Sequence, residues 1–369
     1  MKKILCVLLA IGLCVGCAVG VCATDGTTQK TLNVISFNVD GLPIPAALSS
    51  TKRPARTATK LIAEQVNAAD CDILCVQEDF NYHTALRRNL AMPYATNTSG
   101  PAVVGDGLNI FSRYPIYNVA REGWESAYGV FDCGSDELTP KGFLCCTVEI
   151  ADGVFVDVYT LHADAWEDDA SMQAKADQFD QLSRWIEGYS ADRAVILTGD
   201  FNTNYSVFRD GYSNGSFKVD LCQKLLDNFV NKGFKDAWVE YNNGGNYDFT
   251  YGEMYARYGC NYPRVWDTLD HVYYRDGAGV SFDLVQAVYN DFDCEEITWP
   301  GHLSDHAAVC VTLNCTIDPE TASAPQTLKK EVFNPIRYVA EGTFHIFRTL
   351  WVALTHIPAL IRDGLDWLK

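Results

Sequence analysis

Basic residues are scarce in this 369-residue chain: 29 Lys and Arg stand against 47 Asp and Glu, a formal net charge of −18. No Lys/Arg run provides the phosphate-neutralising track on which non-specific nucleic-acid binding depends. An acidic surface also repels polyanions within a Debye length. Both features weigh against a nucleic-acid substrate, although a local site can differ from the average. Internal repeats of about 20–50 residues are absent, which excludes solenoids and propellers. Beyond the first 23 residues there is no Cys-x-x-Cys pair and no Cys/His cluster with zinc-ligand spacing. The apolar C-terminal stretch lacks the unbroken run of a membrane span, because Arg348 and Pro358 interrupt it.

What remains is ample for one large core, at 48% hydrophobic content. Met1-Lys2-Lys3 followed by apolar Ile4 to Val21 and small-residue Val21-Cys22-Ala23 predicts a signal peptide over 1–23, and hence a secreted or extracytoplasmic protein. Val15-Gly16-Cys17 is an alternative lipoprotein-type site, with anchoring at Cys17. Cleavage after residue 23 removes Lys2 and Lys3 and no acid, taking the formal charge from −18 to −20. Ten of 14 cysteines then remain, which permits disulfides in an oxidising compartment. Cys71 and Cys75 lie in an apolar strand and read as buried small hydrophobes.

Polar residues recur at the carboxyl ends of apolar, β-prone runs. Leu32 to Gly41 is a strand ending in Asn38 and Asp40; Cys71 to Glu78 closes on Glu78; Val154 to His162 delivers His162. Ala194-Val195-Ile196-Leu197-Thr198-Gly199-Asp200-Phe201-Asn202 does so most clearly. Its i, i+2 spacing turns Asp200 and Asn202 toward one point if the chain stays extended, whereas an Asx turn would spend them on the backbone. Gly107 to Ile116 predicts a strand, Lys141–Ile150 and Val154–His162 a hairpin around Asp152-Gly153. Further strands are expected over Trp266–Arg275, Ser281–Tyr289 and Ala307–Leu313. Apolar spacing predicts helices over Arg56–Ala69, 80–90, Gln173–Glu187 and Val219–Lys232, the last alone among surface loops over 203–262. The domain runs over 31–315. A polar linker over 316–330 leads to a tail, 331–369, that reads as two amphipathic helices, docked on the domain or lying on a membrane surface.

The pieces Ser36-Phe37-Asn38-Val39-Asp40-Gly41-Leu42, Val76-Gln77-Glu78, Leu161-His162, Gly199-Asp200-Phe201-Asn202, Leu269-Asp270-His271 and Leu303-Ser304-Asp305-His306 resemble, in that order, the endonuclease/exonuclease/phosphatase superfamily. The resemblance covers residues 32–313. It implies an α+β, DNase-I-like fold, a four-layer α/β/β/α sandwich of two mixed β-sheets flanked by helices. It also implies phosphoester hydrolysis by an activated water with Mg2+, Mn2+ and Ca2+ staying open as alternatives.

Glu78 and Asp305 would hold the metal with hard oxygen ligands, Asn38 would add a neutral ligand or a hydrogen bond to the substrate phosphate, and Asp40 would join the metal set as in one nuclease branch. His306 would be the general base, oriented by Asp270. His162 would contact the phosphate or assist the leaving oxygen, and Asp200 and Asn202 would position the nucleophile and the developing charge. Asn109, with Asn202 and His162, is a candidate substrate contact, and His271 a supporting residue.

Leu161-His162-Ala163-Asp164-Ala165, the export signal and the acidic chain look most similar to the sphingomyelinase-like branch. A phospholipid headgroup is therefore the expected substrate, with Ile297, Trp299 and Pro300 as a further lipid-contacting candidate and peripheral membrane contact through the tail. No protein partner is expected. The alternatives are a secreted Mg2+-dependent nuclease using the same residues, and a non-catalytic surface binding protein.

Overall fold

The computed structural model describes residues 26–48, 54–131, 133–205, 211, 213–249, 269–290, 292 and 302–367. The expected signal peptide, Cys17, the start of the strand expected from Trp266, and Ile297 to Pro300 lie outside these residues.

Strands β1 (Thr28–Asn38), β2 (Ile73–Gln77), β3 (Tyr94–Ala95), β4 (Asn109–Ser112), β11 (Val280–Asn290) and β12 (Ala308–Ile317) form one sheet in the order β11-β12-β1-β2-β4-β3. Strands β5 (Ile116–Gly123), β6 (Gly142–Ala151), β7 (Val154–His162), β8 (Ala194–Asp200), β9 (Lys235–Asp236) and β10 (Asp270–Arg275) form the other, ordered β5-β6-β7-β8-β10-β9. Each sheet holds one parallel pair, β1 with β2 and β7 with β8, among antiparallel neighbours. This is the expected pair of mixed sheets.

Alternation along each strand explains the layering. Leu32, Val34, Ile73 and Cys75 face a core shared with Val156, Val158, Ala194 and Ile196 of the second sheet. The intervening Ile35, Phe37, Leu74 and Val76 pack outward against helix α1 (Ala55–Ala68), through Ala58, Ile62 and Val66. Likewise Tyr159, Leu161, Val195 and Leu197 meet α3 (Asp169–Tyr189) through Phe179 and Leu182, and α4 (Leu221–Asn228) through Leu225. Strands covered on both faces need apolar residues at every position, which is why these runs read as continuous. The short α2 (His83–Asn89) closes the first outer layer near α1.

Several boundaries differ from expectation. The chain turns at 113–115, as the proline there implies, but continues into β5, a strand of its own that opens where Pro115 cannot donate to a ladder. Helix α3 begins at Asp169, because the Asp168 side chain accepts from the Ala170 and Ser171 amides and caps it. The described part of 203–262 is less loop-like than its Gly/Asn content implies, since Asp236 ends β9 and caps a further helix, α5 (Ala237–Asn243). β12 runs to Ile317, paired with Thr28, so the domain extends past residue 315. The following segment is pinned, with Asn118 donating to the Thr327 carbonyl and accepting from the Lys329 amide. The tail is one helix, α6 (Pro335–Trp367), not two; Pro358 is accommodated within it at the loss of one backbone hydrogen bond. All seven described cysteines with placed side chains are free thiols, and Cys71 and Cys75 are buried as expected.

Candidate active site

The two parallel strand pairs deliver the candidate residues to one end of the sandwich. Asn38 closes β1 opposite Gln77, so Glu78 leaves β2 one residue later. In the second sheet His162 lies opposite Asp200, and Asp270, the first residue of β10, lies opposite Asp200 on the other side. The sheets meet here. Asn38 Nδ2 donates to Asp200 Oδ2 at 3.1 Å and to Glu78 Oε1 at 3.2 Å.

Asp200 Oδ2 is also 3.4 Å from His162 Nε2 and 3.6 Å from His306 Nε2. His306 Nδ1 lies 2.7 Å from Oδ2 of the fully buried Asp270. Ser304 fixes that loop, its Oγ donating to the Asn38 carbonyl at 2.6 Å and accepting the His306 amide at 3.1 Å. Asp305, exposed, stands beside it.

Asp200 and Asn202 do converge, but not along an extended strand. β8 ends at Asp200, whose Oδ1 accepts the Asn202 amide at 2.9 Å, while Asn202 takes φ 50°. Asn38 and Asp40 repeat the device, with Oδ1 accepting the Asp40 amide at 3.1 Å and Asp40 at φ 44°. The Asx turn therefore aims the second residue of each pair. Asn202 Nδ2 reaches the Ala163 carbonyl at 3.1 Å, next to His162. Glu78 also has positive φ, 56°, a conformation that costs a long side chain more than Asn or Asp. Its carbonyl is gripped by the Gly41 and Phe80 amides at 3.0 and 2.8 Å. Gly41 is required there, since a Cβ would sit 2.3 Å from that carbonyl oxygen.

Charge in the cluster follows from burial and neighbours. Burial pushes the Glu78 carboxyl up to about 7, with Asp305 adding to the effect and the Asn38 amide opposing it. Burial likewise pushes Asp270 up to about 7, with His306 opposing and Asp200 reinforcing. Burial disfavours charge on His306, yet Asp270 and Asp200 together hold its imidazole well above the ordinary range. Asp270 and His306 thus hold a proton jointly. His162 is neutral, pushed down to about 3 by burial and then by Lys141. Its Nδ1 is buried with no partner among the described residues. Burial opposes charge on Asp200, but His306 and Lys141 hold it below the usual carboxylate range.

The donor set fits a divalent cation. Glu78 and Asp305 are hard carboxylates whose mutual repulsion a cation would relieve, whereas Asn38 turns its Nδ2 toward Glu78 and engages its Oδ1 with the Asp40 amide, so it would need to rotate its amide to add an oxygen ligand. Asp200, Asp270 and His306 also present ligand atoms within 4.8 Å of one another. Within the trio, Asp270 Oδ2 is engaged by His306 Nδ1 at 2.7 Å and Asp200 Oδ2 by Asn38 Nδ2 at 3.1 Å, a pairing suited to handling a proton.

Asn109 is not drawn into the cluster. It is buried opposite Val76 on β4, donating to Asp79 Oδ2 at 2.9 Å and accepting from Arg121 Nη2 at 3.2 Å. His271 is buried, with Nδ1 2.6 Å from Asp236 Oδ2 and Nε2 2.9 Å from the Thr203 carbonyl, so both ring nitrogens face acceptors. Lys141 escapes detection in the sequence, where a single lysine at a strand start carries no sign of burial. Its ammonium pairs with Asp136, donates to the Ala163 carbonyl at 3.2 Å, and acts on both Glu78 and Asp200.

Residues 35–306 match the Endonuclease/Exonuclease/phosphatase family. The sphingomyelinase of Mycobacterium tuberculosis is 31% identical over 309 residues, which cover 81% of this chain and 56% of that protein. The chain therefore spans little more than half the length of this relative. Among solved structures, the endonuclease/exonuclease/phosphatase from Beutenbergia cavernae matches 81% of this chain and 73% of its own, at 16% identity and a TM-score of 0.53. D. rerio TDP2 complexed with a single-strand DNA product matches 77% of this chain and 99% of its own, at 17% identity and the same TM-score of 0.53. These two likenesses are of fold.

Proposed function

From the premise that this chain belongs to the endonuclease/exonuclease/phosphatase family, we propose that it is an exported, Mg2+-dependent phosphodiesterase that hydrolyses a phospholipid headgroup ester of the sphingomyelin type. The observation that carries the chemistry is the His306–Asp270 pair. A ring nitrogen 2.7 Å from a fully buried carboxylate leaves Nε2 as the atom that takes a proton from water. Asp270 then stabilises the imidazolium that forms.

Asp200, with Asn202 beside it, positions the water and the phosphoryl oxygens. His162 is neutral, and its Nε2, 3.4 Å from Asp200 Oδ2 in the cluster, is the nitrogen suited to donate to the substrate phosphate or the leaving oxygen. Glu78, Asn38, Asp305 and Asp40 are the residues that would hold the metal, which when bound polarises the phosphoryl group and neutralises developing charge. The lipid substrate is supported by the 31% identity to a sphingomyelinase and by the deficit of basic residues, which disfavours a polyanion.

The test offers sphingomyelin vesicles and plasmid DNA in parallel, with Mg2+ or with EDTA, to wild type and His306→Ala. Metal-dependent release of phosphocholine, lost in the variant, is the expected result. Cleavage of DNA alone would keep the site and overturn the substrate. Inactivity on every phosphoester would leave the fold as a binding scaffold.

A further inference from the structure

Helix α6 rests on the domain by its more polar side. Arg348 Nη1 donates to the Glu137 carbonyl at 2.9 Å, and Thr349 Oγ1 to the Leu138 carbonyl at 3.1 Å. Gly342 faces Val104, where a Cβ would approach a side-chain methyl at 3.0 Å. With about 100° per residue, Gly342, His345, Arg348 and Thr349 fall on one side of the helix. Ile336, Val339, Phe347, Leu350, Trp351 and Leu354 fall on the other, within an arc of ~120°, and they are 53% to 82% exposed. An amphipathic helix ordinarily does the reverse and buries its apolar stripe. This one is fastened so that the stripe points away from its own domain.

The support beneath α6 belongs to the site's own wall. Glu137 and Leu138 end a 3-10 turn, Cys133–Leu138, in which Asp136 pairs with Lys141 and accepts the Ala165 amide at 2.9 Å. Ala165 is three residues past His162, and Trp166 beside it is 64% exposed. The outward stripe and an exposed tryptophan are thus tied to the segment that leaves His162.

We infer that the outward face of α6 is an interfacial surface that docks on a zwitterionic phospholipid bilayer and holds the candidate active site at the headgroup layer. Three observations select this occupant. Among the described residues no helix is long and apolar enough to cross a membrane, so α6 would lie on the surface rather than span it. A second copy is disfavoured, because each chain carries a net charge of −18 and copies repel. Moreover the stripe is wider than a coiled-coil seam and rich in aromatics. Anionic lipids are disfavoured too, since Arg337 and Arg348 are the only Lys or Arg residues between 335 and 357, Arg337 is paired with Glu341 and Arg348 is engaged by the domain, far short of a polybasic cluster. The purpose of this docking rests on the lipid reading given above; the docking itself does not.

The experiment is co-sedimentation of the full chain with phosphatidylcholine vesicles in EDTA, so that no turnover is needed, comparing wild type with Phe347→Ser/Trp351→Ser. Both proteins share every other segment, and both positions are largely exposed (67% and 70%), so the fold should survive, checked by an unchanged melting temperature. The expected result is at least a tenfold drop in vesicle partitioning for the variant, with wild type binding phosphatidylserine vesicles more weakly than phosphatidylcholine. Equal partitioning of both proteins, no binding by wild type, or a wild-type dimer in ultracentrifugation that the variant dissociates would overturn the inference. Vesicle binding without lipid hydrolysis would sustain this inference while overturning the proposed substrate, so the two failures are distinguishable.

Discussion

Replacing Asp270 with Asn tests the proton-handling pair most directly. The change keeps size and shape at a fully buried position and removes only the charge facing His306 Nδ1 at 2.7 Å. At a charge separation of about 4 Å and an effective dielectric of about 20, the lost attraction to an imidazolium is about 4 kcal/mol. If the imidazole starts neutral and becomes charged in the transition state, that attraction is differential, and kcat falls by roughly 10²- to 10³-fold. The same substitution lets the His306 pKa fall, because Asp270 is the foremost group holding it up. Sign matters here. A base whose pKa falls stays neutral to lower pH, so the acidic limb of the Asp270→Asn rate profile moves to lower pH. The deficit is therefore largest on the alkaline plateau and narrows as pH decreases. The assay is turnover of phosphocholine ester against pH, with Mg2+ saturating. A loss below tenfold, or one uniform across pH with the acidic limb in place, would refute the pairing argument.

Three further outcomes are expected. Glu78→Gln should weaken Mg2+ binding by at least tenfold in calorimetric titration. In EDTA it should raise the melting temperature at pH 8, because a carboxyl lifted to about 7 destabilises the fold when ionised, and the gain should vanish near pH 4, where the group is protonated in both states. Gly41→Ala should cost about 2 kcal/mol or more of stability in denaturant titration and lower activity, since its Cβ would displace the carbonyl that anchors Glu78. The His271 imidazole is held above its ordinary range, against burial, by Asp236 and the Thr203 carbonyl. Its stabilising contribution is present in full below about 6.5 and is lost as pH rises through the folded-state value. The stability gap between wild type and His271→Gln should accordingly be wider at pH 6 than at pH 9; an equal gap would mean the ring is not charged in the folded state.

Most strand positions, though not β3, β5 or β9, were legible in the sequence, as were the burial of Cys71 and Cys75 and the candidates Asn38, Glu78, His162, Asp200, Asp270 and His306, because each depends on local alternation and on what stands at a strand's carboxyl end. Strands covered on both faces must be apolar throughout, and the polar residue that stops such a run is conspicuous. Tertiary structure alone decided how those ends meet. The Asn38 contact to Asp200 joins residues 162 positions apart, across two sheets whose packing no local pattern encodes. It also decided that Asx turns with positive φ, not strand pleating, aim Asp40 and Asn202. Burial set the remainder. Lys141 carries its charge inside the protein because Asp136 compensates it there, and Asn109 is turned inward by Asp79 and Arg121. The tail's periodicity fixed where its apolar stripe lies on the helix, but only the docking of Arg348 and Thr349 on the domain determined that the stripe faces outward.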